Sequence, residues 1–222
     1  MNALKKPYVI VGGFMSIDGK TAPKNRKGVL FTKFMSEELY RRLHRLRSEV
    51  DAILVGVGTA LEDDPQLTVR AVKGKNPIRI VLDSKARIPL GSRVLNVKEA
   101  PTIIAVSEAA PKDKVEALRS IGVAVIQSGE KKVDIKRLLQ ELYERGVRKL
   151  LVEGGAEVRW SFFNERLVDE LFVWIIPAIW GGLQAPTLVG GEGYVSPEEV
   201  ALLDLKRIEQ VGEILVLTYT AR

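Results

Sequence analysis

The amino-acid sequence predicts an α/β protein: a mainly parallel, mixed sheet with helices on both faces and antiparallel strands at its C-terminal edge. Three observations lead there. Residues 52–56 and 150–152 are apolar runs without polar alternation, as expected of strands buried on both faces, and 78–82 and 102–106 read as further strands. Segments of helical periodicity separate several of these runs, and strand–helix alternation builds a parallel sheet. The last two apolar runs, 202–208 and 213–219, flank a hairpin-like turn around Gln210-Val211-Gly212, so the closing strands run antiparallel. With 222 residues, no internal repeat and no low-complexity linker, residues 1–222 are read as one domain.

Taken in order, residues 7–15 form a first strand, apolar on both faces and hence central. Ser16-Ile17-Asp18-Gly19-Lys20 is a turn, because Asp-Gly favours a positive φ. Residues 21–33 are polar, basic and aperiodic, which reads as a loop placed to cover a ligand. Ser36 caps a helix with Glu37 and Glu38 in its first turn and Leu39, Leu43, Leu46 and Val50 on one stripe. Arg41, Arg42 and Arg45 lie away from that stripe. Arg47 lies at its border, about 80° from Leu39, and His44 is expected at the surface. Strand 52–56 runs into Gly56-Val57-Gly58-Thr59, where Leu61 replaces the third glycine of a dinucleotide fingerprint. Thr59 and Asp63, four apart, share a face of the short helical turn that follows.

Strand 78–82 ends in Asp83-Ser84-Lys85-Ala86-Arg87, whose basic residues either grip a phosphate or face solvent. Strands 102–106 and 123–127 bracket a helix over 111–120 that opens with proline. Asp134 caps a helix running to Arg145, with Ile135, Leu138, Leu139 and Leu142 inward and Gly146 at its end. Residues 169–176 form a long apolar segment. Trp174 and Trp180 suit either a central strand or a subunit contact.

Composition excludes whole classes of chemistry. The chain has no cysteine, which rules out disulfides, thiolate nucleophiles and cysteine zinc sites. Its single histidine, His44, rules out two-histidine metal sites, so no metal is expected. There is no run of about 18 apolar residues for a membrane span. Residues 1–6 carry no signal pattern, and a cytoplasmic location is expected. The net charge of +6 suits anionic small molecules. No Lys/Arg tract or basic–aromatic motif points to nucleic acid.

The chemistry concentrates in Leu150-Leu151-Val152-Glu153-Gly154-Gly155-Ala156-Glu157. A strand, two glycines and a helix start make a cradle for an anion. The first N–H groups of a helix have no intrahelical partner, the macrodipole is positive there, and glycine lets a phosphate approach the backbone. Glu153 stands at the strand's carboxyl end, where ligands bind in open α/β sheets. A carboxylate repels phosphate, so Glu153 is expected to face something else. The plainer alternative is a tight turn with a surface glutamate. Trp160, Phe162 and Phe163 on the following helix read as core or subunit contact.

Several motifs occur in a telling order: Met15-Ser16-Ile17-Asp18-Gly19-Lys20, then Leu46-Arg47 before Asp51-Ala52-Ile53-Leu54-Val55-Gly56. Gly58-Thr59-Ala60-Leu61-Glu62-Asp63-Asp64-Pro65-Gln66-Leu67-Thr68-Val69-Arg70 follows, then Leu82-Asp83-Ser84 and Glu153-Gly154-Gly155. Together they resemble the riboflavin-biosynthesis pyrimidine reductases, most closely the stand-alone archaeal and fungal type, over essentially the whole chain. The resemblance implies a dihydrofolate-reductase-like fold, NADPH as cofactor and a homodimer. The implied substrate is a phosphorylated aminopyrimidine, 2,5-diamino-6-ribosylamino-4(3H)-pyrimidinone 5′-phosphate, reduced by hydride transfer to C1′. Bacterial relatives fuse this reductase to a zinc deaminase. That chemistry needs a Pro-Cys-x-x-Cys type site, which a chain without cysteine lacks.

Carried over residue by residue, the resemblance places Thr59, Asp63, Asp83, Ser84 and Lys85 (or Arg87, near a 2′-phosphate) at the cofactor. Gly154, Gly155, Ala156 and Glu157 would cover its pyrophosphate. Arg47, Leu67, Arg70, Glu153 and Thr32 fall at substrate positions, and Glu153 and Lys20 are the candidates for moving the catalytic proton. Arginine suits its role, since a guanidinium binds phosphate through two parallel hydrogen bonds. Two alternatives stay open. One is a reductase of the deaminated pyrimidinedione or another pteridine-like substrate, for which Asp18, in a turn, is a poor buried acid. The other is a non-catalytic nucleotide- or nucleic-acid-binding module, resting on the positive charge.

Overall fold

A computed structural model describes residues 4–222. In chain order its elements are β1 (Tyr8–Ser16), a 3-10 helix (Gly28–Phe34), α1 (Glu37–Ser48), β2 (Ala52–Gly56), α2 (Val57–Asp63) and β3 (Ile78–Leu82). Then come a short 3-10 turn (Arg93–Leu95), β4 (Thr102–Val106), α3 (Lys112–Ser120), β5 (Ala124–Gln127), α4 (Ile135–Glu144) and β6 (Lys149–Gly154). The chain closes with α5 (Ala156–Asn164), β7 (Glu170–Ile176), β8 (Leu203–Val211) and β9 (Ile214–Ala221). Two compact units form: the chain up to Tyr8 with Arg41–Leu151, and Val9–Tyr40 with Val152–Arg222.

In the first unit the strands lie in the order β5-β4-β3-β2-β6. β2 to β5 pair in parallel, with Leu54 opposite Ile80 and Ile80 opposite Ile103. Every residue of β2 and β4 is buried, which is why neither run alternates. Asp134 caps α4 by accepting from the Arg137 N–H at 3.0 Å, and Ile135, Leu138, Leu139 and Leu142 of that helix are buried. Each such side chain contributes about 1.5–3 kcal/mol of burial. Asp51 joins β2 to β6: its carboxylate accepts from the Arg148 and Lys149 N–H groups, both at 2.8 Å.

In the second unit the order is β1-β7-β9-β8, with β1 and β7 parallel and the last three strands antiparallel. Gly12 of β1 pairs with Phe172 of β7, and a Cβ at Gly12 would lie 1.9 Å from that ring. The glycine is therefore required by its neighbour. Phe14 packs edge-on against Trp174 with ring centroids 4.6 Å apart. A β-bulge between Leu205 and Arg207 interrupts the outer strand β8. The expected class is what the chain adopts: parallel strands with helices, closed by antiparallel strands.

Four expectations need correction. Residues 28–34 are not loop but 3-10 helix, because Phe31 is drawn inward to 2% exposure and packs against Phe14, Phe34 and Trp180. His44 is not at the surface: its exposure is 0%, and its ring accepts a main-chain hydrogen bond. Trp174 is buried against Phe14 and Phe172, so it is not a subunit contact. The closing hairpin turns one residue later than expected, at Gly212-Glu213. Among the described residues no helix is long and apolar enough to cross a membrane.

Arg79 of β3 is fully buried, and its guanidinium donates to the carbonyls of Gln66 (3.3 Å), Asn96 (2.8 Å) and Ala100 (2.7 Å). Removing a donor from buried carbonyls costs about 1–3 kcal/mol for each group left unpaired. Arg79→Met is therefore expected to lower unfolding free energy by about 3–5 kcal/mol, measured by urea denaturation.

Candidate active site

In the second unit, β6 ends at Gly154, whose φ of 138° excludes most side chains, and the Gly154–Gly155 peptide is cis. Gly155 precedes α5 without any side-chain cap. Beneath this turn lies Arg159, which the sequence reading missed. Its Nη2 donates to the Gly12 carbonyl at 3.0 Å and to the Glu153 carbonyl, and its Nη1 donates to the Leu188 carbonyl at 3.1 Å. Gly13 and Gly154 make room for it: a Cβ would fall 2.5 Å and 3.0 Å from Nη2. Burial pulls the guanidinium pKa down to about 10, opposed by the charge of Glu153, so it stays protonated at neutral pH. The Glu153 side chain above it is half-buried.

A loop spanning residues 180–191, also unanticipated, joins several expected site residues. Gly190 N–H donates to the Ala156 carbonyl at 3.1 Å, and Gly191 N–H to Glu157 Oε1 at 3.0 Å. Lys20 donates its ammonium to the Ala185 carbonyl at 3.3 Å and forms a β-bridge with Thr187. Asp18 accepts from Ser16 Oγ (2.5 Å), Gly181 N–H (2.7 Å) and Trp180 N–H (3.2 Å). Ser16's hydroxyl, then the main-chain donors, hold its carboxyl below the usual range. Thr32 turns its hydroxyl onto the Val29 carbonyl of its own helix, at 2.7 Å.

In the first unit, Thr59 and Asp63 are half-buried on one face of α2, as expected. A Cβ on Gly58, at the start of that helix, would meet nothing, so its backbone is open to approach. Arg47 and Arg70 converge on Thr68: Arg47 Nη1 donates to its carbonyl at 3.5 Å, and Arg70 Nη1 to its hydroxyl at 2.8 Å. Leu67 is buried with φ 52°. Asp83, expected at the cofactor, turns its side chain inward. It has no exposure, Oδ2 accepts from Ile88 N–H at 2.8 Å, and Oδ1 lies 3.7 Å from Arg87 Nε. It braces the turn carrying Ser84 and exposed Lys85. Ser84 Oγ accepts from the Val133 N–H at 3.1 Å.

Residues 7–217 match the model of the RibD C-terminal domain. The chain belongs to that family. It is 46% identical over 204 residues to the 2,5-diamino-6-ribosylamino-4(3H)-pyrimidinone 5′-phosphate reductase of Aquifex aeolicus, covering 91% of each chain. With the protein of the same name from Methanothermobacter thermautotrophicus it shares 44% identity over 220 residues, covering 98% of this chain and 99% of that one. In structure it is similar to Acinetobacter baumannii RibD, with a TM-score of 0.81 at 22% identity, over 98% of this chain and 58% of that longer chain. Dihydrofolate reductase from Enterococcus faecalis shares the fold at a TM-score of 0.52 and 12% identity, over 96% of both chains.

The bonds to Asp18 can be read through pH. A carboxyl held below its ordinary value of 3.8 stabilises the fold when ionised. Its contribution is full above that value and is lost below it, as pH falls through the lower value the carboxyl has in the fold. Asp18→Asn is expected to melt below the wild type at neutral pH, with the two melting temperatures converging as pH falls below 3.8 in a thermal-melt series.

Proposed function

We propose that this chain reduces the ribosyl group of 2,5-diamino-6-ribosylamino-4(3H)-pyrimidinone 5′-phosphate to the ribitylamino product, with NADPH as reductant. The observation that carries this reading is the 46% identity, across 91% of both chains, with a reductase of that name. We read residues 1–222 as one reductase domain, supported by the family match over 7–217, and assign it to the cytoplasm.

The chain's own residues fit such a cofactor. Two helices start directly after strand ends, both behind glycines and both without side-chain caps: α2 behind Gly56 and α5 behind Gly155. Uncapped N–H groups at such ends favour phosphate. Thr59 and Asp63 on α2, Ser84 and Lys85 after β3, and Gly154 to Glu157 are the residues proposed to hold NADPH. Asp83 acts from behind, by bracing the turn of Ser84 and Lys85. When bound, NADPH supplies the hydride for C1′ of the ring-opened ribosylimine. Arg47, Leu67, Arg70 and Thr32 are assigned to the substrate, with the two arginines on its phosphate.

Glu153 is fixed through its main chain by Arg159, so its carboxylate is presented from a rigid strand end. It is assigned to orient the pyrimidine and steer a proton to the imine nitrogen as C1′ gains the hydride. Lys20 is the second candidate for that proton. Its ammonium is held by the Ala185 carbonyl.

We assign a homodimer to the outer strands. Across the bulge, Leu205 pairs with Tyr219 and Ile208 with Leu217, so the extra residue returns both to one face. Leu205, Ile208 and Leu215 are 51%, 61% and 41% exposed, an apolar stripe suited to a second copy.

The deciding assay is NADPH oxidation that depends on the aminopyrimidine phosphate, with the deaminated pyrimidinedione run alongside. Faster turnover of the deaminated compound would replace the substrate named here. Absence of turnover on both, with steeply salt-dependent duplex binding, would support a binding module instead. Two variants test the site. Arg70→Ala is expected to raise KM for the phosphate substrate about tenfold to a hundredfold, the loss of hydrogen bonds to a charged group. Glu153→Gln is expected to cut kcat about a hundredfold while the chain stays folded, checked by circular dichroism. Wild-type kinetics in both would sink the assignment.

A further inference from the structure

We infer that His44 is a positioning residue for phosphate recognition: it holds the main chain of Arg70 so that the guanidinium is presented to the substrate phosphate. This rests on the reading of Arg70 given above. His44 sits on α1 with no exposure, where an apolar side chain would pack as well. Its Nδ1 instead accepts a hydrogen bond from the Arg70 main-chain N–H at 3.0 Å. To accept, Nδ1 must carry no proton, so the ring is neutral with its proton on Nε2.

The surrounding contacts form one clamp. Arg47 follows His44 by three residues and so shares its face of α1. It donates to the Thr68 carbonyl, while Thr68 Oγ1 receives Arg70 Nη1 at 2.8 Å. Between them the Val69 N–H donates to Asn76 Oδ1 at 2.7 Å. Residues 68, 69 and 70 are thus each tied to a side chain, and buried Leu67 with its left-handed backbone anchors the start. Arg70 itself is exposed. Its main-chain N–H donates to His44 and its guanidinium to Thr68 Oγ1, so both its backbone and its head group are held. A phenyl ring fills the space of an imidazole but has no acceptor. An asparagine places an acceptor oxygen at the same distance from its own backbone as Nδ1.

The test uses full-length His44→Phe, His44→Asn and Arg70→Ala. For each, kcat and KM are measured with the phosphorylated substrate, with its dephosphorylated form and with NADPH, alongside melting temperatures. His44→Phe is expected to raise KM for the phosphorylated substrate about tenfold. It should leave KM for the dephosphorylated form and for NADPH unchanged, and His44→Asn should restore most of the loss. Equal shifts for both substrates, no shift at all, or an asparagine variant no better than phenylalanine would overturn the inference. Should His44→Phe fail to fold, the wild type decides. With one histidine in the chain, its ring nitrogens give a single pair of 15N signals. An unprotonated Nδ1 and protonated Nε2 at neutral pH support the inference, and a protonated Nδ1 overturns it. Arg70→Ala separates the two levels. If it loses phosphate discrimination while His44→Phe keeps it, only the role of His44 fails. If Arg70→Ala keeps that discrimination, the assignment of Arg70 fails and His44 with it.

Discussion

A main-chain carbonyl that ends a strand inside a protein must find a donor, and here a buried guanidinium supplies it. Arg159 serves carbonyls from β1, from the end of β6 and from the 180–191 loop at once. Much of the second unit follows from this. Gly13 and Gly154 have no side chain because the guanidinium occupies that space, and the turn bearing Glu153 has a fixed origin. A planar, five-donor group does this well; an ammonium is a compact point charge without the fork. The first unit solves the same problem independently with Arg79, which gathers Gln66, Asn96 and Ala100. In both cases the donors meet neutral carbonyls, so the charge is spread over dipoles as well as opposed by nearby carboxylates.

Many of the residues proposed above for cofactor and substrate lie where these strands stop. β1 leads to the Ser16–Lys20 turn, β2 to Gly58 and Thr59, β3 to Asp83–Arg87, and β6 to Glu153 and the glycines. These are carboxyl ends, the positions at which α/β sheets bind ligands. The strands are buried and rigid, so short segments beyond them can carry chemistry without being floppy. The supporting bonds come from near and far along the chain: Asp83 accepts from Ile88 five residues on, whereas Asp18 accepts from Gly181 and Glu157 from Gly191.

What the sequence disclosed follows from the range of the interaction. Local signals were faithful. The strands at 52–56, 78–82 and 102–106 have the expected bounds, and Asp134 caps α4 through the Arg137 N–H. The Gly-Gly turn, Thr59 with Asp63 on one helical face, and the inward reach of Arg47 were visible as spacing and residue type. Features set by distant partners were not. Arg159 meets Gly12 across 147 positions, and His44 meets Arg70 across 26, beyond any periodicity. A hint did exist for Arg159: it lies three and four residues before Phe162 and Phe163, on the buried face of its helix. The inward turn of Asp83 left no trace in the sequence, because Ile88, its partner, reads as an ordinary loop residue. The 3-10 helix at 28–34 was hidden by its basic flanks, with Phe31 its buried residue.

The bulge in β8 has a bearing on how this protein behaves when crowded. An open strand edge is a template on which other extended chains can stack. In the first unit the outer strand β5 is only four residues long. In the second, the nine-residue β8 is broken by the bulge and studded with Lys206, Arg207 and Glu209. Neither offers the long, flat, uncharged ladder from which fibrils grow. Edge-to-edge stacking, the usual start of aggregation, is thus disfavoured at both of these strands.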